Sequence, residues 1–152
     1  MNDQPVARPE RVLPRLAQFP GRTGDVIRFG DLDPQGHVNN TVFATYFETG
    51  RVMLLRAPGN ELEVPGATTV LARLDISFLR EMHWPGTVEI GTGTTKIGRS
   101  SYSFLQAIFH EGECAATATA TMVMIDRATR KARPLPDEVI ARLEQLRLRE
   151  AR

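Results

Sequence analysis

The sequence contains a single cysteine, Cys114, among its 152 residues. No disulfide can form within the chain, and we therefore expect a protein of a reducing compartment. Cys114 lies in a strand-like run rich in alanine and threonine. Such a setting favours a small buried side chain over a nucleophile.

An excess of charge of one sign and a long apolar run are also missing. The 19 basic and 18 acidic residues leave a formal net charge of +1, so no field exists that would gather nucleic acid. No segment approaches the roughly 18 apolar residues of a membrane span, and residues 1–10 do not resemble a signal peptide. We expect no nucleic-acid partner, no membrane insertion and a cytoplasmic location.

The composition that remains is typical of one globular domain. Hydrophobic residues make up 41% and charged residues 24% of the chain, and this length can bury one sizeable core. Residues 1–21 form the exception, because four prolines lie there among charged residues: Pro5, Pro9, Pro14 and Pro20. They predict an N-terminal arm, partly docked through Val12, Leu13, Leu16 and Phe19, which leaves residues 22–152 as the domain.

Hydrophobic periodicity predicts seven elements after the arm. A short strand over 23–29 ends at a turn, and a helix over 42–55 is apolar on nearly all faces, which indicates an enclosed helix. Four strand-like segments follow without a helix, and an amphipathic helix begins at Asp137. The segments are 70–78, 87–97, 101–109 and 114–125. This order predicts an α+β hot-dog fold, a five-stranded antiparallel sheet curled around a central helix plus a C-terminal helix.

Polar residues are concentrated immediately before the central helix, and within ten positions they include Asp31, Asp33, His37, Asn39 and Asn40. The N-terminus of a helix offers unpaired N–H groups and a partial positive charge, which suit a developing oxyanion. An isolated Asp-x-Asp is more often a turn or a cap than a catalytic group. His37 is either a loop histidine or a direct participant in catalysis.

Three further positions carry open interpretations. Gly36 fits a turn and is also a candidate substrate contact, and Gly50 fits close packing of the helix on the sheet. Glu48 lies within the apolar helix, where an unpaired carboxylate is costly. We expect it either to pair with a buried base such as a sheet arginine or to line the site.

The sequence predicts no metal site. No spacing typical of a metal site or a catalytic triad connects the residues His83, Trp84 and His110.

The motifs in this region resemble those of the hot-dog thioesterases, specifically the 4-hydroxybenzoyl-CoA thioesterase-like group and the plant acyl-ACP thioesterases. The resemblance covers most of residues 22–126 and rests on Asp31-Leu32-Asp33, Gly36-His37-Val38-Asn39-Asn40, Tyr46 and Glu48. It implies hydrolysis of an acyl thioester, with Asp33 as the catalytic carboxylate and the backbone N–H of Asn40 polarising the carbonyl. The acyl-ACP enzymes imply further catalytic roles for the side chains of His37 and Asn39.

The resemblance also bears on the substrate. His37, Asn39 and Asn40 stand where the 4-hydroxybenzoyl-CoA enzymes carry apolar or aromatic residues, which favours an aliphatic acyl chain. No cofactor is implied, because coenzyme A or acyl carrier protein enters only as part of the substrate. A basic cluster after the last strand is either a solvated turn or a contact for coenzyme A phosphates. Its members are Arg127, Arg130, Lys131 and Arg133.

Members of that family work as dimers, which implies a homodimer or a dimer of dimers. Open edge strands of a five-stranded sheet give a physical reason for this assembly. Two other functions stay open, a hot-dog hydratase or dehydratase acting on acyl thioesters and a non-catalytic acyl-CoA-binding module. Against the first, the His-Phe-Pro-x-x-Pro motif of the acyl-ACP dehydratases is absent from the sequence.

Overall fold

A computed structural model describes residues 11–59 and 62–151 of the chain. They form a five-stranded antiparallel sheet, a long helix packed on it and a shorter C-terminal helix, which confirms the predicted hot-dog fold. In chain order the elements are a 3₁₀ turn (Leu16–Gln18), β1 (Gly21–Ile27), a 3₁₀ turn (Phe29–Asp31), α1 (Asn40–Arg56), β2 (Ala67–Phe78), β3 (Gly86–Ile97), β4 (Ser101–His110), β5 (Glu113–Asp126) and α2 (Asp137–Gln145).

The strands lie in the order β1-β3-β4-β5-β2, and every neighbouring pair is antiparallel. Strands β1 and β2 are therefore the two edges of the sheet. Along β2 the pairing with β5 runs from Ala67 opposite Asp126 to Phe78 opposite Ala116. At about 3.3 Å per residue, the two ends of β2 lie about 35 Å apart. Whatever binds near Phe78 is therefore remote from the turn that follows β5.

Helix α1 packs on the sheet through Gly50. A Cβ atom at this position would lie 2.6 Å from Cγ2 of Ile90 and 3.1 Å from Nε2 of Gln106. Only a glycine permits so close an approach. The predicted packing role of Gly50 is confirmed. Phe43, Phe47 and Leu54 are buried on the same side of the helix.

The expectation that α1 is enclosed is wrong within a single chain. Thr45, Glu48 and Val52 are exposed along the helix, and Met53 is 55% exposed. One face of α1 meets the sheet, and no second layer of the described chain covers the other face. Glu48 lies exposed on that outer face, so its predicted burial is wrong. Its charge nevertheless acts on a buried base, because it opposes the lowering of the Arg51 pKa by burial.

The buried charge of α1 belongs instead to Arg51, which is only 4% exposed. Its guanidinium donates a hydrogen bond of 3.0 Å to Oε1 of Gln106 on β4. The Gln106 amide in turn donates to the carbonyl oxygen of Phe47 and to the hydroxyl of Thr92. Burial lowers the pKa of Arg51. The side-chain amide of Gln106 on the sheet thus accepts a hydrogen bond from a cation on the helix. The prediction was a carboxylate on the helix paired with a base such as a sheet arginine.

Both chain ends of the described region pack on the sheet. Phe19 is fully buried, and its ring lies 6.1 Å from that of Phe109, whereas Val12 stays 90% exposed. Pro5 and Pro9 fall outside the described residues. In α2, Val139 and Leu143 are buried, as an amphipathic helix requires. Neither helix of the described ranges is long and apolar enough to cross a membrane.

Candidate active site

The segment between β1 and α1 folds back on itself as a short hairpin-like loop. Leu32 and Val38 form an isolated antiparallel bridge, and the N–H of Asp33 donates to the carbonyl oxygen of His37 at 2.8 Å. The N–H of Gly36 donates to the carbonyl oxygen of Asp33 at 3.0 Å. Gly36 has a φ of +84°, in the left-handed region that glycine adopts without strain.

The Asp33 carboxylate is held by the main chain of this loop. Its Oδ1 atom accepts hydrogen bonds from the N–H groups of Gln35 at 2.8 Å and His37 at 3.1 Å. Within the described ranges, no protein group donates to Oδ2 of Asp33. The arrangement therefore fixes the direction of the carboxylate and leaves one oxygen to accept a proton or attack a carbon.

Asp31 has a different environment from Asp33. Its Oδ2 atom accepts the N–H of Arg28 at 2.8 Å and the hydroxyl of the fully buried Tyr46 at 2.6 Å. Burial, followed by the hydrogen bond to Asp31, raises the pKa of Tyr46. Asp31 is thus committed to joining the loop to α1, which is a structural role.

The N-terminus of α1 follows directly. Asn39 is the N-cap, and its Oδ1 accepts hydrogen bonds from the N–H and the hydroxyl of Thr41, both at 3.0 Å. Asn40 is the first helical residue, and no described group accepts its N–H, as is usual at this position. The N–H of Asn40 is therefore free to donate a hydrogen bond to an oxygen atom of a ligand. The cap occupies Oδ1 of Asn39, so its NH₂ group is the part left for other partners.

His37 lies beside a second segment of the chain, the connection between β2 and β3. It forms an isolated antiparallel bridge with His83, and the two rings meet edge to face with centroids 5.1 Å apart. Nε2 of His37 lies 3.2 Å from a carboxylate oxygen of Glu81. The spacing of His83 in the sequence predicted no site, and no prediction from the sequence singled out Glu81. The alternation Glu81-Met82-His83 in an extended segment was the available signal, because residues two apart point to the same side.

A cavity of about 730 Å³, the Asp33 cavity, brings the groups of the loop and of the helix N-terminus together. Asp33, His37, Asn39 and Asn40, the four predicted catalytic residues, all line it, whereas the predicted substrate-binding residue Gly36 does not. Its apolar wall includes Phe43 and Phe78, whose rings meet edge to face at 5.2 Å. A carboxylate and an unpaired helix N–H thus share one space with an apolar surface.

The other predicted substrate contacts lie elsewhere. Glu48 and Arg127 line a second cavity, also of about 730 Å³, between α1 and the start of β2. The remaining three basic residues sit on or beside the turn after β5, at the far end of β2 from Phe78. Arg130 and Lys131 are exposed, and Arg133 lies 3.9 Å from Asp126. Within one chain, the basic cluster does not reach the Asp33 cavity.

Cys114, the only thiol, is 7% exposed, as expected of a structural residue. Burial raises the pKa of this thiol. A buried thiol of raised pKa has little thiolate character and is a poor nucleophile. The chemistry of the cavity therefore depends on its carboxylate, imidazole and amide groups.

The fold and the loop before α1 together define a hot-dog protein of thioesterase type. A family model described as the thioesterase-like superfamily matches residues 27–143. The chain belongs to this superfamily.

Solved structures agree with this assignment. The chain is similar to a thioesterase from Thermus thermophilus complexed with coenzyme A and Zn, with 34% identity, a TM-score of 0.74 and coverage of 85% of this chain and 95% of that one. It is also similar to Escherichia coli YbaW, described as a probable thioesterase, with 26% identity, a TM-score of 0.73 and coverage of 82% and 97%. The uncharacterised protein YsmA of Bacillus subtilis is 28% identical over 113 residues, 74% of this chain and 77% of YsmA.

Proposed function

We propose that the protein hydrolyses an acyl thioester, with Asp33 as the reacting carboxylate and the N–H of Asn40 as the oxyanion donor. One observation carries the proposal. The free oxygen of Asp33 belongs to a carboxylate that lines the same cavity as the uncapped N–H at the start of α1. Membership of the thioesterase-like superfamily supports the same reaction.

Hydrolysis adds water across the bond between the acyl carbon and sulfur, and it yields a carboxylic acid and a thiol. As the water oxygen bonds to the carbonyl carbon, negative charge develops on the carbonyl oxygen. The N–H of Asn40 and the partial positive charge of the helix N-terminus stabilise this charge. When the tetrahedral intermediate collapses, the C–S bond breaks and the sulfur leaves as thiolate, which takes up a proton.

Asp33 serves this reaction by one of two routes. As a general base, its free oxygen accepts a proton from the attacking water. As a nucleophile, it bonds to the acyl carbon and expels the thiolate, and water then hydrolyses the mixed anhydride. Both routes need the carboxylate fixed in direction, and the two main-chain N–H groups on Oδ1 do this.

The lining of the same cavity indicates which acyl group the substrate carries. Phe43 and Phe78 provide an apolar wall for an aliphatic acyl chain, and the ring of His37 and the NH₂ group of Asn39 are polar groups near the reacting carbonyl. The coenzyme A bound to the Thermus thioesterase supports a coenzyme A ester, with acyl carrier protein as the other carrier. We place this activity in the cytoplasm, as expected from the single cysteine.

We further propose that two chains assemble through the β2 edge. This edge strand carries Leu71 at 43% exposure and Phe78 at 52% exposure. An exposed strand edge with apolar side chains is a surface that proteins normally cover. A partner chain there would also complete the cavity wall at Phe78. Light scattering at assay concentration tests this, and a monomer would contradict it.

The decisive experiment measures thiol release from acyl-CoA esters of graded chain length, with an aromatic acyl-CoA alongside. We expect release that depends on chain length and that Asp33→Asn abolishes almost entirely. Asp137→Asn is the matched control, because Asp137 is an exposed carboxylate on α2 outside the cavity. Near-normal turnover by Asp33→Asn would refute the assignment.

Two further substrates separate this proposal from the other functions. An enoyl-CoA that loses its conjugated double bond without releasing thiol would identify a hydratase. Saturable acyl-CoA binding without release of thiol from any acyl-CoA or acyl-ACP would identify a binding module. Either result would overturn thioester hydrolysis, whereas thiol release from acyl-ACP alone would assign the carrier.

A further inference from the structure

We propose that His37, Glu81 and His83 form a binding site for a divalent metal ion of the zinc class at the wall of the Asp33 cavity. Each residue offers one ligand atom, a ring nitrogen or a carboxylate oxygen, and these three atoms lie within 4.8 Å of one another. Two imidazoles and one carboxylate are a ligand set that Zn²⁺ accepts. With three protein ligands, a fourth position stays open to water.

The backbone places the two imidazoles side by side. His37 and His83 are directly opposite in an antiparallel bridge, and the N–H of Val38 donates to the carbonyl oxygen of Met82 at 2.9 Å. This hydrogen-bond pattern makes the histidines a non-hydrogen-bonded pair, in which side chains project from the same face with Cβ atoms about 4.5–5.5 Å apart. Main-chain contacts therefore hold the rings together whether or not a metal is bound.

The distances match a zinc site after a small adjustment. Zinc bonds of about 2.0–2.2 Å in tetrahedral geometry place neighbouring ligand atoms about 3.3–3.5 Å apart. Nε2 of His37 and Oε2 of Glu81 are already 3.2 Å apart. A ligand atom at the outer limit of 4.8 Å would have to move by about 1.5 Å. Glu81 and His83 are exposed, so rotation about their side-chain bonds can supply this movement.

The charges around the three ligands also favour a cation. Arg80, which precedes Glu81, forms an ion pair with Glu113 instead. The Asp33 carboxylate lines the same cavity as His37 and Glu81 and adds a second negative charge. Arg80 also lines this cavity, but its guanidinium is already paired with Glu113, so a bound divalent ion would balance the charges of Asp33 and Glu81.

Metal binding can be measured without any substrate, so its outcome is independent of the proposed hydrolysis. Chelator-treated, tag-free protein is titrated with Zn²⁺ by calorimetry and with Co²⁺ by visible absorption, which reports the coordination geometry. We expect saturation at one ion per chain and the intense absorption of four-coordinate Co²⁺. Absence of saturable binding of either ion would refute the site.

Variants assign the ligands. We expect His83→Ala and Glu81→Gln each to weaken Zn²⁺ binding by more than about 10-fold, since loss of outer-shell partners alone costs about 10–100-fold. Glu111→Gln is the matched control, because it removes a carboxylate that lies 3.8 Å from the third histidine, His110. It should leave the affinity unchanged. Unchanged affinity in a folded His83→Ala protein, verified by circular dichroism, would overturn the assignment.

Discussion

The hydroxyl of Tyr46 donates a hydrogen bond of 2.6 Å to Oδ2 of Asp31, and this contact joins the buried side of α1 to the loop that carries Asp33. The main-chain N–H of Arg28 binds the same oxygen. The first carboxylate of the Asp-x-Asp motif thus anchors the loop, and the second, Asp33, faces the cavity. The two acids are two positions apart in the chain and have separate tasks.

Removing the Tyr46 hydroxyl tests this anchor. We expect Tyr46→Phe to lower the free energy of unfolding by about 1.5–3 kcal/mol, because hydrogen bonds to charged groups contribute about this much. Urea unfolding of Tyr46→Phe, Asp31→Asn and the double variant measures the coupling between the two side chains. Strictly additive effects would show that the hydrogen bond contributes nothing to stability.

Alkaline pH provides a second test, since both tyrosines of the chain are buried. Burial raises the pKa of Tyr102 to about 12, and burial with the Asp31 hydrogen bond raises the pKa of Tyr46 further. Unfolded tyrosine has a pKa of about 10. The stabilising contribution of each tyrosine is therefore complete below about pH 10 and is lost as pH rises through the folded-state pKa.

While a tyrosine is protonated in the folded state and ionised in the unfolded state, it makes the unfolding free energy fall by about 1.4 kcal/mol per pH unit. Urea unfolding between about pH 9 and pH 11 measures this slope, which Tyr46→Phe should make shallower. We also expect tyrosinate absorption to appear only as the protein unfolds. Tyrosinate absorption near pH 10 in the folded protein would contradict the burial of these hydroxyls.

The oxyanion role of Asn40 can be tested by removing its backbone N–H alone. Proline is favoured at the first position of a helix, and Asn39, with φ −60° and ψ 138°, has the conformation required before proline. Asn40→Pro should therefore fold normally, yet its kcat should be about 10²–10³ lower than that of Asn40→Ala, which keeps the N–H. Equal turnover of the two variants would exclude this donor.

The buried contact between Arg51 and Gln106 predicts an asymmetry between two substitutions. Gln106→Leu leaves a buried guanidinium without its acceptor and should cost about 3–5 kcal/mol, whereas Arg51→Met removes the charge and should cost about 1–2 kcal/mol. Arg56→Met, at an exposed position of the same helix, is the control and should stay within about 0.5 kcal/mol of the wild type. Urea unfolding measures these losses of stability. A larger loss for Arg51→Met than for Gln106→Leu would contradict the burial of the charge.

The elements of the fold could be predicted because local patterns determine them. Strand alternation and turn residues located all five strands, and observed and predicted bounds of the strands differ by no more than three residues. The sequence offers three candidate caps for α1, Asn39, Asn40 and Thr41, since several residue types accept the same N–H bond. The choice between them depends on where the loop before the helix ends, and the structure shows this through the hydrogen bond from the N–H of Thr41 to the side chain of Asn39.

Other features could not be predicted because they depend on contacts between distant segments. His37 and His83 meet only through the bridge between the loop before α1 and the β2–β3 connection. The burial of Arg51 and the exposure of Glu48 follow from which side of α1 faces the sheet. An apolar residue on nearly every face of the helix concealed that orientation, and Gln106 on β4 had no distinguishing pattern at all.

The manner in which Asp33 is held has an evolutionary consequence. Both groups that orient its carboxylate are main-chain N–H groups, contributed by Gln35 and His37. Mutation can replace either of these side chains and leave the carboxylate in the same direction, because the N–H groups remain. Gly36 between them lacks this freedom, since its φ is +84°. Relatives can thus diversify the rim of the cavity at positions 35 and 37 while they inherit the same acid.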